Sequence, residues 1–345
     1  MKITVSALIL AAALASMLSP LPAAAEESAS VSVEKIGVYS CGKQPKQVLF
    51  SPDDAYILLP LLEDTGFDVF SVAEKKVVRR ISPPGADKLG FAEGLFIPQK
   101  GVFLISQMTT GCLHEYSWPG FEYKRTIQTG GTWSKFIAYS AEKDLLAVSN
   151  WVSNDISLLD YSTGTLLRLI PTGKAPRGML FLDGGKSLVS LSFDSGLIEK
   201  FAVDTGKRTA CITVANACMR HIACTDDLKT AFVSDMYNRQ VYRIDLERFQ
   251  ITGQCRVYRN PNTIELLDSR YLFVSTRGPN NPEDYTKRSP SNGKIHIIDT
   301  ETMSIIETFE GGNQPTGLDI SKDRTTLCFS DFQDAAIELY RIKKQ

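Results

Sequence analysis

The chain has 345 residues, with 38 Lys and Arg against 39 Asp and Glu and a formal net charge of −1. So close a balance supplies no bulk field toward nucleic acid or an anionic membrane, and any electrostatic role must come from local clustering. Its three histidines, His114, His221 and His296, stand far apart and argue against a His-rich copper or haem centre. Its seven cysteines contain no CxxC pair, which disfavours a redox couple or a zinc ribbon, and their odd number leaves at least one unpaired within the chain. No cofactor and no metal site are expected.

In chain order, Met1 and Lys2 give a positive start, residues 3–18 are apolar or small, Pro20 and Pro22 break any helix, and three alanines precede Glu26 and Glu27. These are the three parts of a secretory signal peptide, with cleavage expected after Ala25. The run is shorter than the roughly 20 apolar residues of a membrane anchor. Residues 26–345 are then expected to form one exported domain, periplasmic or secreted, monomeric and without a membrane span.

Residues 31–39 read as an orphan strand. Two atypical units follow, and then the clearest one, over residues 133–170. It has strand patterns at 136–139, 145–149, 156–160 and 166–170, separated by turn residues, and no helical period. The residue just before each first strand marks seven units: Lys46, Glu93, Lys135, Arg177, Arg220, Thr263 and Thr316, spaced 42 to 53 residues apart. Ser149, Ser234 and Ser330 recur at one offset from their markers. Asp160, Asp204, Asp245 and Asp299 stand at the ends of third strands, where a carboxylate accepts hydrogen bonds from its own turn. Cys224 and Cys328 fall in apolar strand patterns and read as buried fillers. Four strands per period of about 40–45 residues are the signature of a β-propeller, here all-β and seven-bladed with antiparallel blades. The last unit, with strands at 317–320, 326–330 and 337–342, lacks its outermost strand. The orphan strand is expected to supply it, closing the ring and removing an open edge.

The segments SNWVSNDISLLD (149–160), TGKAPRGMLF (172–181), SDMYNRQVYRID (234–245) and GNQPTGLDISKD (312–323) resemble the YVTN-type β-propeller repeat. The likeness runs over essentially the whole expected mature chain. It implies a seven-bladed exported propeller tied to cell-envelope or surface functions. The loops at 60–66 and 107–113 depart from the pattern by lacking its Ser-Asn start. A more distant resemblance is to lactonase-type propellers. No Gly-His…Trp-Asp units are present, which disfavours the Trp-Asp repeat family.

In a propeller the loop into each first strand and the loop after each second strand share one face, so equivalent positions form rings around the axis. The first ring, formed by the seven markers, has four basic members and one acidic. It reads either as an anion site or as a set of pairs with neighbouring carboxylates such as Asp235 and Asp331. The second ring is Leu62, Met108, Trp151, Phe193, Met236, Arg277 and Phe332. Its six apolar members read as a rim around the funnel or as packing between blades. An insertion at 277–290 accounts for the longest spacing; it carries three prolines, Tyr285, Lys287 and Arg288, in the kind of loop where function concentrates.

The expected ligand-binding set is Lys46, Lys135, Arg177, Arg220, His221, Trp151, Phe193, Arg277, Tyr285 and Phe332. Its expected ligand is an anionic small molecule, a peptide or a cell-envelope protein. No GxSxG elbow, HExxH, Walker loop or dinucleotide fingerprint stands in a usable context. Asp53-Asp54 and Asp226-Asp227 read as turn residues of the opposite face. Two alternatives are a lactonase-like hydrolase using His221 with Arg177 or Arg220, which rests on fold analogy alone, and single-stranded nucleic-acid binding by Trp151, Phe193 and Tyr285 beside the basic ring, which export and neutral charge disfavour.

Overall fold

A computed structural model describes residues 31–344, so the signal peptide expected at 1–25 lies outside the described residues. Seven four-stranded antiparallel sheets follow one another along the chain. Blade one is Leu49–Phe50, Tyr56–Pro60, Phe67–Ser71 and Lys76–Ile81, from the axis outward. Blade seven runs Pro315–Ile320, Thr326–Asp331 and Ala336–Lys344, and its outermost strand is Val31–Ser40 from the other end of the chain.

Burial follows radial position. Second strands such as Val102–Gln107 and Tyr271–Thr276 are buried along their whole length, because neighbouring blades cover both faces. That is why they read as continuous apolar runs rather than alternating ones. The outermost strand Leu166–Pro171 buries only Ile170. The core consists of layers between blades. Between blades six and seven, Phe273, Ile295 and Ile297 meet Leu318, Phe329 and Tyr340. Between blades four and five, Leu191 and Ile198 meet Ile222, Val233 and Tyr242. Truncating one such side chain to Ala costs about 2–5 kcal/mol.

The recurring serine has a specific task. Ser234 Oγ accepts from His221 N at 3.1 Å and donates to the Asn262 carbonyl of the next blade at 2.7 Å. Ser275 does the same between Thr263 N and Thr316 O, and Ser106 between Glu93 N and Lys135 O. Ser330 joins Gly317 N to Pro45 O, so the last of these staples fastens blade seven to blade one. Closure is reinforced by the ladder from Val31↔Lys344 to Ser40↔Ala336. Asp54, in a turn of blade one, accepts from Lys322 N and Asp323 N of blade seven.

Asp160, Asp245 and Asp299 accept backbone N–H groups of their own turns, as expected. Asp204 does not occupy that position: its third strand is Leu197–Ala202, and the Asp lies two residues beyond. Cys328 is fully buried, whereas Cys224 is only half-buried, near the end of its strand Met219–Cys224. All seven cysteines are free thiols. Asp53 and Asp227 cap their turns through Ala55 N and Lys229 N.

Candidate functional site

In six of the seven blades the first strand begins with a bulge. Its opening residue pairs with the last residue of the second strand, and the next regular pair comes three residues on in one strand but two in the other. Ser134↔Asn150 is followed by Ile137↔Val148, and Met219↔Asp235 by Ile222↔Val233. The same step occurs in blades two, four, six and seven. This register fixes which residues share a height around the axis.

The first ring is therefore Lys46, Ala92, Lys135, Arg177, Arg220, Asn262 and Thr316. Glu93 and Thr263, assigned to it from spacing, sit one residue further along with Gln47, Phe136, Gly178, His221 and Gly317. The serine staple carries the missed signal, since Ser106 stands at the usual offset from Ala92 rather than from Glu93. In blade six the turn before Tyr271 is one residue shorter, so Ser275 stands one residue nearer to Asn262 than its counterparts do to theirs. The second ring keeps its register throughout. The backbone N–H groups of Leu62, Met108, Trp151, Phe193, Met236, Arg277 and Phe332 each bond a carbonyl of the loop into the first strand of the same blade.

The two rings enclose a cavity of about 410 Å³. Of the residues named from the sequence, Lys46, Lys135, Trp151, Arg177, Phe193, Arg220, Arg277 and Tyr285 line it. His221 and Phe332 do not. Phe332 lies buried beneath Lys46 and Arg277, whose charged ends stand 5.6 and 5.1 Å from its ring centroid. His221 packs edge-on against Phe136, and burial, then Arg220, pushes its imidazole down to about 3. Trp133, Cys218, Met236, Tyr237, Asn260, Asn262 and Asn280 complete the lining. Tyr237 and Tyr285 are 69% and 66% exposed and form an aromatic rim.

The insertion is tied down over blade seven. Gln333 Nε2 donates to Thr286 O, Gln314 Nε2 to Lys287 O and Asn313 Nδ2 to Ser289 O, and Arg288 pairs with Asp334. It walls one side of the funnel. Trp133, Trp151 and Phe193 wall the other, with the rings of Trp151 and Phe193 5.0 Å apart.

Five cations converge here around one carboxylate. Arg177, Arg220 and Glu93 are 1%, 4% and 4% exposed. Arg177 Nη2 bonds Glu93 Oε1 at 2.8 Å, while Arg220 Nη2 lies 4.0 Å from the same oxygen. Burial pushes the Glu93 carboxyl up, but Arg177, Arg220 and Lys46 outweigh it and hold the group below its ordinary value. Lys135 Nζ sits 3.8 Å from the Trp151 ring centroid and 5.4 Å from that of Trp133. Asp235 and Asp331, expected as partners of the basic ring, are engaged elsewhere. Asp235 accepts from Cys218 N, Asn238 and Tyr242, and Asp331 accepts from Gly312 N. Among the described residues, Arg177 Nε and Nη1, Arg220 Nη1, Arg277 Nε and Asn262 Oδ1 are buried without a hydrogen-bond partner. Buried polar groups are normally satisfied, so five such atoms around one cavity mark it as prepared for a polar occupant.

At the other end of the first strands, Glu265 and Asp319 occupy adjacent blades. Burial, then Asp319, pushes Glu265 up to about 8. Asp319 Oδ2 accepts from Phe50 N at 2.7 Å. The two ends of these strands thus carry opposite polarity.

No protein-family model matches the chain. Among solved structures it is similar to the hydrazine synthase of Kuenenia stuttgartiensis, with a TM-score of 0.74 over 86% of this chain and 95% of that one. At 13% identity that likeness speaks for the fold alone. Among characterised proteins it is similar to Antigen Lp49 of Leptospira interrogans, 37% identical over 317 residues that span 89% of this chain and 69% of the relative. With that identity carried through nearly all of the seven blades, the chain belongs to the family of Antigen Lp49.

Proposed function

We propose that this protein is an exported binding propeller that holds an anionic ligand in the funnel between its two rings. One observation carries the reading: guanidinium N–H groups of Arg177 and Arg220 are buried at the cavity without partners, in a cluster of five cations and one carboxylate. An unpaired buried charge is costly, and an anion that pairs with it offsets that cost on binding. Export rests on the signal-like segment at 1–25, and a YVTN-type, envelope-associated role on the repeat resemblance; kinship to a protein named as an antigen agrees with both. The aromatic rim and the pinned insertion extend the binding face outward, where a peptide or envelope protein would meet it. The hydrolase reading needs His221 as a base, and an imidazole pushed down to about 3 abstracts protons poorly.

Tryptophan fluorescence provides the test. Of the chain's three Trp residues, Trp133 and Trp151 line the cavity. Titrating sodium citrate against the mature protein at constant ionic strength is expected to change the emission saturably. The double variant Arg177→Gln/Arg220→Gln is expected to lose that response. Retention of full affinity by the double variant would refute the funnel as the site.

A further inference from the structure

We infer that the funnel is built for an organic dianion, a phosphomonoester or a dicarboxylate, whose apolar body rests on the Trp151–Phe193 wall and which donates one hydrogen bond to Asn262. This rests on the anion reading above and specifies its ligand.

The charge count comes first. Arg177 is matched by Glu93 at 2.8 Å. That carboxylate lies 4.0 Å from Arg220. Arg277 Nη2 bonds the neutral amide of Gln314. Lys46 and Lys135 rest against Phe332 and Trp151 and have no carboxylate within salt-bridge distance. A lysine in a dry site sheds its proton when no anion is near, but a guanidinium keeps its charge. Leaving both lysines out of the count, Arg220 and Arg277 still contribute two positive charges that no further carboxylate of the described residues balances. One monoanion would leave one of them uncompensated.

Donor geometry gives the same count independently. Arg177 offers Nε and Nη1, Arg220 Nη1 and Arg277 Nε, four buried donor atoms from three guanidinium groups that line one cavity. A carboxylate brings two oxygens and is satisfied by one guanidinium fork. Donors on three separate guanidinium groups are matched by the three terminal oxygens of a phosphomonoester or the four of a dicarboxylate. The remaining unpartnered atom, Asn262 Oδ1, is an acceptor, and no part of a bare anion satisfies it. It calls for a hydroxyl or N–H on the ligand's body. Trp151 and Phe193, side by side at 5.0 Å, supply an apolar wall that inorganic phosphate would leave uncovered.

The experiment uses the mature full-length protein and five probes at pH 8 and fixed ionic strength: phenyl phosphate, phthalate, benzoate, inorganic phosphate and acetate. Dissociation constants are read by tryptophan fluorescence and calorimetry. Phenyl phosphate or phthalate is expected to bind at least tenfold tighter than benzoate, and tighter than inorganic phosphate; whichever of the two leads identifies the head group. Arg277→Gln and, separately, Arg220→Gln are expected to close the dianion-to-benzoate gap about tenfold, with dianion affinity falling more than that of benzoate. The wild-type comparison stands even if one variant fails to fold. Benzoate binding as tightly as both aromatic dianions would overturn the dianion inference and leave the anion site standing. Inorganic phosphate matching phenyl phosphate would overturn the apolar-body part. No binding of any probe at 10 mM would overturn both readings.

Discussion

Glu93→Gln and Arg220→Gln should move stability in opposite directions, although both remove one charge from the same cluster. Among the described residues, Glu93 is the one carboxylate paired within the cation cluster of the funnel, and its Oε1 takes a 2.8 Å bond from Arg177. Removing one partner of a buried pair costs about 3–5 kcal/mol, because the other is left charged and desolvated. Unfolding entropy of about 2.1 cal/mol/K per residue gives a domain of this size about 0.7 kcal/mol per degree near its melting point. Glu93→Gln is therefore expected to melt about 4–8 °C below wild type. Arg220 stands 4.0 Å from that carboxylate and close enough to Arg177 to be repelled by it. Replacing Arg220 with Gln removes a desolvated, unmatched charge, and melting at or slightly above wild type is expected. The assay is scanning calorimetry at pH 7.5 in low salt, with a second set in 10 mM phenyl phosphate. The added anion should raise wild type and Glu93→Gln more than Arg220→Gln, by mass action on a site that two of the three proteins keep fully charged. If Glu93→Gln melted within a degree of wild type, the funnel would be wet and screened, and the argument from desolvation would fail. Equal losses in both variants would mean a satisfied network rather than an excess of charge.

Ligand binding should take up protons. Burial, then Arg220, Arg177 and Arg277, holds Lys46 well below its ordinary value, and burial, then Arg177 and Arg220, does the same to Lys135. An anion counters those charges and raises both amines, so calorimetric enthalpies for phenyl phosphate in HEPES and in Tris at pH 8 should differ in the sense of net uptake; identical enthalpies would contradict it. Burial, then Glu338, pushes Asp331 up to about 8, while an unfolded Asp titrates near 4. Between those values the native state binds a proton that the unfolded chain does not, so this group makes stability fall as pH rises, by up to about 1.4 kcal/mol per unit. Asp331→Asn keeps an acceptor for Gly312 N, and its gain in melting temperature over wild type should grow from pH 5 to pH 8; a gain that does not vary with pH would rule this out. Deleting residues 31–40 strips the ladder onto Ala336–Lys344 and leaves that strand as an open edge, so the truncated protein should melt well below the parent and self-associate in sedimentation. A truncation that melts with the parent would refute strand closure.

The propeller was legible because its information is local. Each strand is an apolar run cut off by turn residues, and each blade repeats the order at nearly one period, so counting yields both the number of blades and the missing strand. The second ring was legible for the same reason, since Trp151 N and its six counterparts make one repeated backbone bond at a fixed distance from the end of a strand. The first ring slipped by one residue in blades two and six; the serine staple corrects the count in blade two, while in blade six the shorter turn before Tyr271 moves the serine as well. The cation cluster was legible, but the pairing inside it was not. Glu93 meets Arg177 across 84 residues and two blade boundaries, through contacts that exist only once the ring has closed. Asp235 and Asp331 were nearer in sequence to basic residues and were the wrong partners, because each is turned into its own blade.

That network also says why the funnel is the place to look for function. Seven-fold closure brings one residue of every blade to the same short distance from the axis, so a basic residue at this position in four blades becomes a cluster of like charges whatever surrounds it. A propeller core has no use for that arrangement: the inter-blade layers, such as Phe273, Ile297 and Phe329, are apolar and complete without it. Two other buried carboxylates have a guanidinium beside them, Asp68 that of Arg80 and Glu199 that of Arg208. Sequence and structure agree on local rules through most of the chain and depart from them together at the funnel, with a cation excess, four unpartnered guanidinium nitrogens and an unpartnered amide oxygen in one cavity. Departures from local consistency gather where a protein trades stability for a task. The observed excess is positive and aromatic-walled, and the chemistry that would relieve it is an anion with an apolar body.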